Sequence, residues 1–418
     1  MRAGLLLGLY FAGFVASAHS ARVEIYGSST YQKPNEKSAF NPNNSVLEIP
    51  NWWHQLELRP DLQYDFSNSH SLILRSRHFL EGRQEDKKLP DEKPFSVLTR
   101  SDLTDAFVNS QWNESWQTAI GLQNYQWGPA EIFSPSNPFF HFLNEQRSFF
   151  FIQKGRILAR VNWNPDPTSS KWSVVGLYEP IENRDPFWTA DRSFRPRSAL
   201  KIERQFENPI NSVALVAGQG ELGREFVGEY FTWSPEEGLS FYGDVKHQRG
   251  RTHWRPQTGA FGTPDMVRDS DQSRIFSFGI FGFRWEGRVD FRQEFIWNEG
   301  GYDSEEWDRA RSSALTPAPL ILQNLRRFAA PGLEFRTRSY SYSSLRIPNL
   351  GPGDRTSLAI RWLTSLQEDS SALQLNWEYL WTDHTVLQAE VLHFSGSKSS
   401  EFRLVNDTQA ALGFRWTY

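Results

Sequence analysis

The sequence predicts an all-β chain, a transmembrane antiparallel up-and-down β-barrel of about 16 to 18 strands. Three observations predict it. Apolar and polar residues alternate with period two along much of the 418 residues, so each strand has one greasy and one wet face. Short turn-rich breaks alternate with long polar ones, as tight turns on one rim and loops on the other require. Large aromatics gather at strand ends, where a ring with one apolar and one wet edge suits a membrane interface. Composition agrees. The chain has 17 Trp, 32 Phe and 13 Tyr, yet 22% of its residues are charged and no long apolar helix could use those rings. A net charge of −4 gives no electrostatic reason to expect nucleic acid. The absence of Cys removes disulfides and thiolate metal sites.

The elements follow in order. Met1-Arg2, the apolar run Leu5 to Val15 and Ala16-Ser17-Ala18 have the three-part form of a secretory signal peptide over 1–18. The run is shorter than the roughly 20 residues needed to span a bilayer. Residues 19–418 then read as a single transmembrane β-barrel domain, because no linker divides them.

Strand patterns lie near 22–31, 53–66, 69–80, 98–112, 116–127 and 148–163. They continue near 171–179, 198–206, 210–217, 225–233, 238–248 and 274–285. The last six lie near 288–298, 333–346, 355–366, 371–382, 385–394 and 409–418. The clearest alternations are Leu56, Leu58, Leu62, Tyr64 and Phe66 against Glu57, Arg59, Asp61, Gln63 and Asp65, and Leu373 to Trp381 against Gln374, Asn376 and Glu378. Helical spacing would scatter these residues round a cylinder, so strand wins. Breaks such as Ser67-Asn68-Ser69, Glu286-Gly287 and Thr382-Asp383-His384 are tight, whereas 81–94, 250–273 and 307–331 are long and polar. Segment 304–330 has mild helical character and reads as an outer or inward-folded loop. Trp112, Trp116, Trp127, Trp163, Trp285, Trp297, Trp362, Trp377 and Trp381 stand at strand ends as interfacial residues.

The C-terminal segment carries Leu412, Phe414, Trp416 and Tyr418 on one face, with Ala410 before them. It resembles the last strand of bacterial outer-membrane β-barrel proteins of the porin-like kind. The resemblance implies a place in the outer membrane, contact with its lipids, and recognition of these four residues by the barrel assembly machinery. A second, shorter likeness lies in Gln123 to Pro138, which is similar to a strand-to-loop segment of alginate-export-type channels through Gln123, Trp127, Gly128, Asn137 and Pro138. Physically, Trp127 would end a strand at the interface, Gly128 would allow a sharp exit, and Asn137-Pro138 would stiffen the loop.

Chemistry is sparse. Nine histidines make no His-Glu-x-x-His pair, and no Gly-x-Ser-x-Gly elbow occurs. His70-Ser71-Leu72 only approaches the His-x-Ser motif of outer-membrane phospholipases. No catalytic residue, metal or cofactor is expected. The polar strand face would instead line a lumen through Glu57, Arg59, Arg75, Arg77, Arg156, Arg160, Lys201, Glu203, Asp290, Arg292, Glu294, Arg361, Glu378 and Arg415. Arg75, Arg77, Arg156 and Arg160 make the candidate basic patch, either cross-paired with carboxylates or free to select anions. Pro129 to Phe140, with Phe133, Phe139 and Phe140, is the candidate constriction. The expected function is a porin-like channel for passive diffusion of small hydrophilic solutes, with anionic sugars or oligosaccharides as candidates. The alternatives are a non-conducting adhesin or structural barrel binding through 81–94, 250–273 and 304–331, or a barrel hydrolase.

Overall fold

The computed structural model describes residues 20–418 apart from 39–40, 45–48, 85–94, 138, 140–154, 169–170, 182–193, 209, 221–222, 251–252, 259–263, 270–272, 315–334 and 405. The signal-peptide reading over 1–18 lies outside the described residues, as do Pro138 and Phe140.

Twenty strands are present among the described residues. The first seven are β1 (Ser20–Pro34), β2 (Trp52–Ser67), β3 (His70–Gln84), β4 (Phe95–Gln111), β5 (Trp116–Gln123), β6 (Arg156–Trp163) and β7 (Trp172–Glu179). Next come β8 (Arg197–Gln205), β9 (Ser212–Gln219), β10 (Glu225–Glu236), β11 (Leu239–Arg249), β12 (Trp254–Thr258) and β13 (Pro264–Arg268). The chain ends with β14 (Ile275–Glu286), β15 (Asp290–Asn298), β16 (Ser339–Leu350), β17 (Thr356–Ser365), β18 (Ser370–Thr382), β19 (Thr385–Ser395) and β20 (Asn406–Thr417).

All but β12 and β13 form one 18-stranded antiparallel sheet. It closes because β1 pairs with both β2 and β20. Closure matters in lipid, where each backbone N–H and C=O needs an internal partner and an open edge is costly. Each of the 18 expected segments overlaps one barrel strand. The strand-rich closed barrel is therefore the fold class the alternation predicted.

The two rims differ. Residues 68–69, 237–238, 287–289 and 383–384 turn tightly on the rim that also holds the start of β1 and the end of β20. On the opposite rim lie the strand ends joined by the long connections β1–β2, β5–β6, β11–β14 and β15–β16. Outer-membrane barrels keep short turns on the periplasmic side and long loops outside. On the long-loop rim, the β12–β13 hairpin and helix α1 (Ser304–Ala314) pack Trp254, Met266, Tyr302, Trp307 and Ala310 with Leu404. The hairpin escaped the sequence reading, because its five-residue strands sit inside a polar loop.

Outside, apolar side chains stand exposed all round: Leu56, Leu80, Ile120, Leu215, Phe295 and Leu412 among them. A patch of this extent is intolerable in water and natural in lipid. Trp112, Trp116, Trp163, Trp285, Trp297, Trp362, Trp377 and Trp381 are exposed on this surface, as expected of interfacial rings. Trp127 is the exception. It lies beyond the end of β5 and is buried inside the barrel, because the chain after Gln123 turns inward rather than outward.

Candidate functional site

Directly opposed residues of an antiparallel pair share a face, so the register assigns each side chain to one side of the wall. All fourteen candidate lining residues fall on the inner face. Glu57 opposes Tyr26, Asp61 opposes Arg75, Ala119 opposes Arg160, and Glu294 opposes Tyr342.

Their surroundings separate them into two groups. Residues 124–137, with Phe139 beyond them, cross the barrel interior from β5. Glu131 meets β16, where Tyr342 Oη donates to its Oε1 at 3.1 Å and Ser344 Oγ at 3.3 Å. β16 stands nine steps from β5 either way round the ring of 18, so the crossing follows a diameter. Arg292 and Arg361 each approach Glu131 at 3.5 Å.

Two wall carboxylates hold the crossing segment. Glu294 on β15 accepts the backbone N–H of Glu131 at 2.7 Å and the Tyr242 hydroxyl at 2.8 Å. Asp244 on β11 accepts the Ser134 hydroxyl at 2.5 Å and the Ser136 N–H at 2.8 Å. Both are fully buried. Gly128 makes the bend possible. Its φ is +95°, and a Cβ there would lie 2.2 Å from Ser134 Oγ and 2.3 Å from Asp244 Oδ2. Asn137 closes the segment locally, accepting the Phe139 N–H at 3.0 Å.

Between this segment and β6–β10 the interior is filled. Trp127 and Phe139 pack on Leu158, Val175, Leu177, Ala199, Val216, Phe226 and Tyr230. Here the inner face is mixed: Leu158, Val175, Leu177, Ala199, Ala214 and Val216 pack on the crossing segment, beside the inward charges of Arg156, Arg160, Lys201 and Glu203. Of the two readings of the basic patch, Arg156 fits the paired one. Arg156 is buried against Glu179 at 3.1 Å, and Arg197 shares that carboxylate at 2.5 Å. Lys201 is buried, donating to Glu203 at 2.6 Å and Tyr230 Oη at 3.3 Å. Arg160 lies over the Tyr125 ring at 4.3 Å. Gln123, from the shorter likeness, spends its amide N–H groups on Ala119 O and Leu158 O at 3.1 Å each.

The other inner wall runs through β17–β20 and β1–β4, joined at the short-turn rim by the ends of β14–β16. Glu57 sits buried between two guanidinium groups, accepting Arg59 Nε at 2.6 Å and Arg77 Nη2 at 2.9 Å. Arg59 also stacks on Tyr26 at 3.5 Å. Arg75 and Asp61 pair at 2.9 Å yet stay 46% and 42% exposed, so this pair faces solvent. Asp290 takes both Arg284 donors at 2.9 and 2.8 Å. Glu378 accepts Gln388 Nε2 at 2.9 Å, and Glu390 accepts Asn376 Nδ2 at 2.8 Å. Arg346 and Arg415 also face inward, opposite Asp290 and Tyr26, with no carboxylate in ion-pair range among the described residues.

On the long-loop rim, Glu368 accepts the Glu401 N–H at 3.0 Å. Burial, reinforced by the Glu401 carboxylate, pushes the Glu368 carboxyl up to about 8.

Among solved structures, the chain is similar to OccAB2 of Acinetobacter baumannii at 9% identity and TM-score 0.51, covering 96% of this chain and 98% of that one. OccK5 (OpdH) of Pseudomonas aeruginosa matches at 9% identity and TM-score 0.52, with 96% and 98% covered. OpdK of the same organism, crystallised with vanillate, matches at 9% and 0.50, with 96% and 99% covered. The fold is that of bacterial outer-membrane porins. With its apolar outer band and Trp girdles, the barrel sits in the outer membrane. No family model and no curated protein matches the sequence, so the finer likeness to alginate-export channels gains no support there.

Proposed function

We propose that this protein is a porin-like channel through which small hydrophilic solutes diffuse passively. One observation carries the reading: the crossing segment fills the half bounded by β6–β10, and its bonds from Glu131 onward go to β11, β15, β16 and β17. The passage is then eccentric, along the charged wall of β17–β20 and β1–β4. A barrel of 18 strands is wide enough to keep water in such a half. Of the expected lining residues, Arg75, Asp290, Arg292, Arg361, Glu378 and Arg415 would touch the solute, and the segment from Gly128 to Asn137, with Phe139, would narrow the route.

Small anionic solutes, sugars or oligosaccharides among them, suit the wall best, because Arg415 faces inward opposite Tyr26 with no carboxylate in ion-pair range among the described residues. Diffusion along fixed charges needs no cofactor and no covalent step. The outward row Leu412, Phe414, Trp416 and Tyr418 on the closing strand remains the face we assign to the assembly machinery.

Planar-bilayer recording tests the channel. Reconstituted protein should give steps of ion current with a reversal potential displaced toward anions. A silent bilayer, with the barrel shown folded by its heat-dependent gel mobility, would overturn the channel in favour of a non-conducting adhesin.

A further inference from the structure

The outer wall pairs many of its polar groups within itself. His247 Nδ1 meets Ser277 Oγ at 2.8 Å, and His393 Nδ1 meets Thr408 Oγ1 at 3.1 Å. Gln293 bonds Ser341 and Ser343 at 2.9 and 2.6 Å. Glu229 on β10 differs. It opposes Leu215 and Val245, both outward, and its side chain is exposed. Among the described residues it has neither a hydrogen bond nor an ion pair.

Its depth follows from the register. One row of opposed residues runs Trp163, Val174, Ile202, Leu215, Glu229, Val245, Gly279, Trp297. Trp163 ends β6 at the short-turn rim, and Trp297 lies at the long-loop end of β15. Strands of a barrel tilt, so the row climbs from one girdle to the other. Glu229 stands four strands from Trp163 and three from Trp297, near mid-depth. Acyl chains there offer no donor, and an unpartnered lipid-facing carboxylate is costly.

The flanks of Glu229 complement each other. On one side, centred between β7 and β8, two to three strands away, lies an outward groove of about 450 Å³ floored by Ala159, Gly176, Ser198 and Ala217. No atom lies within 4 Å of a Cβ built at Gly176. On the other side, two strands away on β14, Phe281 stands out from the wall. A two-fold axis through Glu229 would set each groove against the phenylalanine of the other copy, and each carboxyl against its equivalent at equal depth.

We infer that the β8–β14 outer face is the interface of a homodimer within the membrane, with Glu229 at its two-fold axis. Two carboxyls facing each other across the axis can hydrogen-bond to one another, which acyl chains cannot do.

The full chain, extracted in mild detergent, should appear as two copies in native mass spectrometry. E229K brings like charges together and should give single copies. Co-expressed with wild type, separately tagged E229K should form mixed pairs in excess of either like pair. Glu229→Gln keeps a donor and an acceptor and should stay paired, whereas Ala217→Trp fills the groove without touching the charge and should separate the copies. Heat-dependent gel mobility reads the folding of each variant. Wild type found as single copies, with or without retained lipid, overturns the dimer, and so does E229K that pairs as well as wild type. Neither result bears on channel conductance, so this inference and the proposed function fail separately.

Discussion

The Ser134 hydroxyl donates to Asp244 Oδ2 at 2.5 Å, across 110 residues of sequence and from the crossing segment to β11. The same carboxylate takes the Ser136 N–H at 2.8 Å. A hydrogen bond contributes about 0.5–1.5 kcal/mol net, and a buried donor left without its partner costs about 1–3 kcal/mol. Asp244→Ala removes both and leaves two donors unpaired, so the segment should leave its seat. Single-channel conductance should rise and become noisier while the gel mobility of the folded barrel persists. An Asp244→Ala channel with wild-type conductance would show that this staple does not set the aperture.

Gly128 tests the bend itself. At φ +95° a side chain is strained, at a cost of roughly 1–3 kcal/mol. Contacts at 2.2 and 2.3 Å add a clash with the very atoms that form the staple. Gly128→Val should therefore lower the unfolding temperature in a gel-shift series and mimic Asp244→Ala in conductance. If the variant matches wild type in both readouts, the inward course of the chain does not depend on this residue.

Much of the wall was legible because lipid on one side and water on the other impose a period of two. Gln55 to Phe66 shows this without structure. Where the inside is not water, the rule loses its grip. Ser212 to Gln219 reads Ser-Val-Ala-Leu-Val-Ala-Gly-Gln, apolar on both faces, and that doubling was the available signal that something packs against it from within. Trp127 misled because a Trp at a strand end looks alike at an interface and in a core. The partners of Arg156 and Lys201 depend on which strands adjoin, a long-range fact that alternation does not carry. The aim of the crossing segment was legible only in part, through the bend at Gly128 and its phenylalanines.

Glu57 joins two wall cations in one buried cluster, and its loss has a readable sign. Its side chain is 0% exposed, that of Arg59 7% and that of Arg77 11%. Removing one partner of a buried ion pair costs about 3–5 kcal/mol, because the remaining charge is stranded. Glu57→Ala should destabilise the barrel by that order in urea titration. It should also move the reversal potential further toward anions, since two guanidinium groups would lose their shared carboxylate. Stability unchanged within about 1 kcal/mol would mean that the two arginines find solvent, and the wall there is looser than the cluster implies.

Glu368 gives the long-loop rim a pH dependence of definite direction. Burial and the neighbouring Glu401 carboxylate raise its carboxyl from an ordinary 4.5 to about 8, against the pull of the Glu401 N–H and of Arg311. Asp308 adds to the raising. Between these two values the folded rim holds a proton that the unfolded chain has released, so stability falls as pH rises. The contribution is fully present below about 4.5 and lost on passing through about 8. The turn at 366–369 should hold loop 396–405 firmly at pH 5 and less firmly at pH 9. Glu368→Gln mimics the protonated state at every pH, and the amide still accepts the Glu401 N–H. The unfolding midpoint of wild type, followed from pH 5 to 9, should decline more steeply than that of Glu368→Gln, with the two curves closest at pH 5. Parallel curves would place the rim's pH response elsewhere than Glu368.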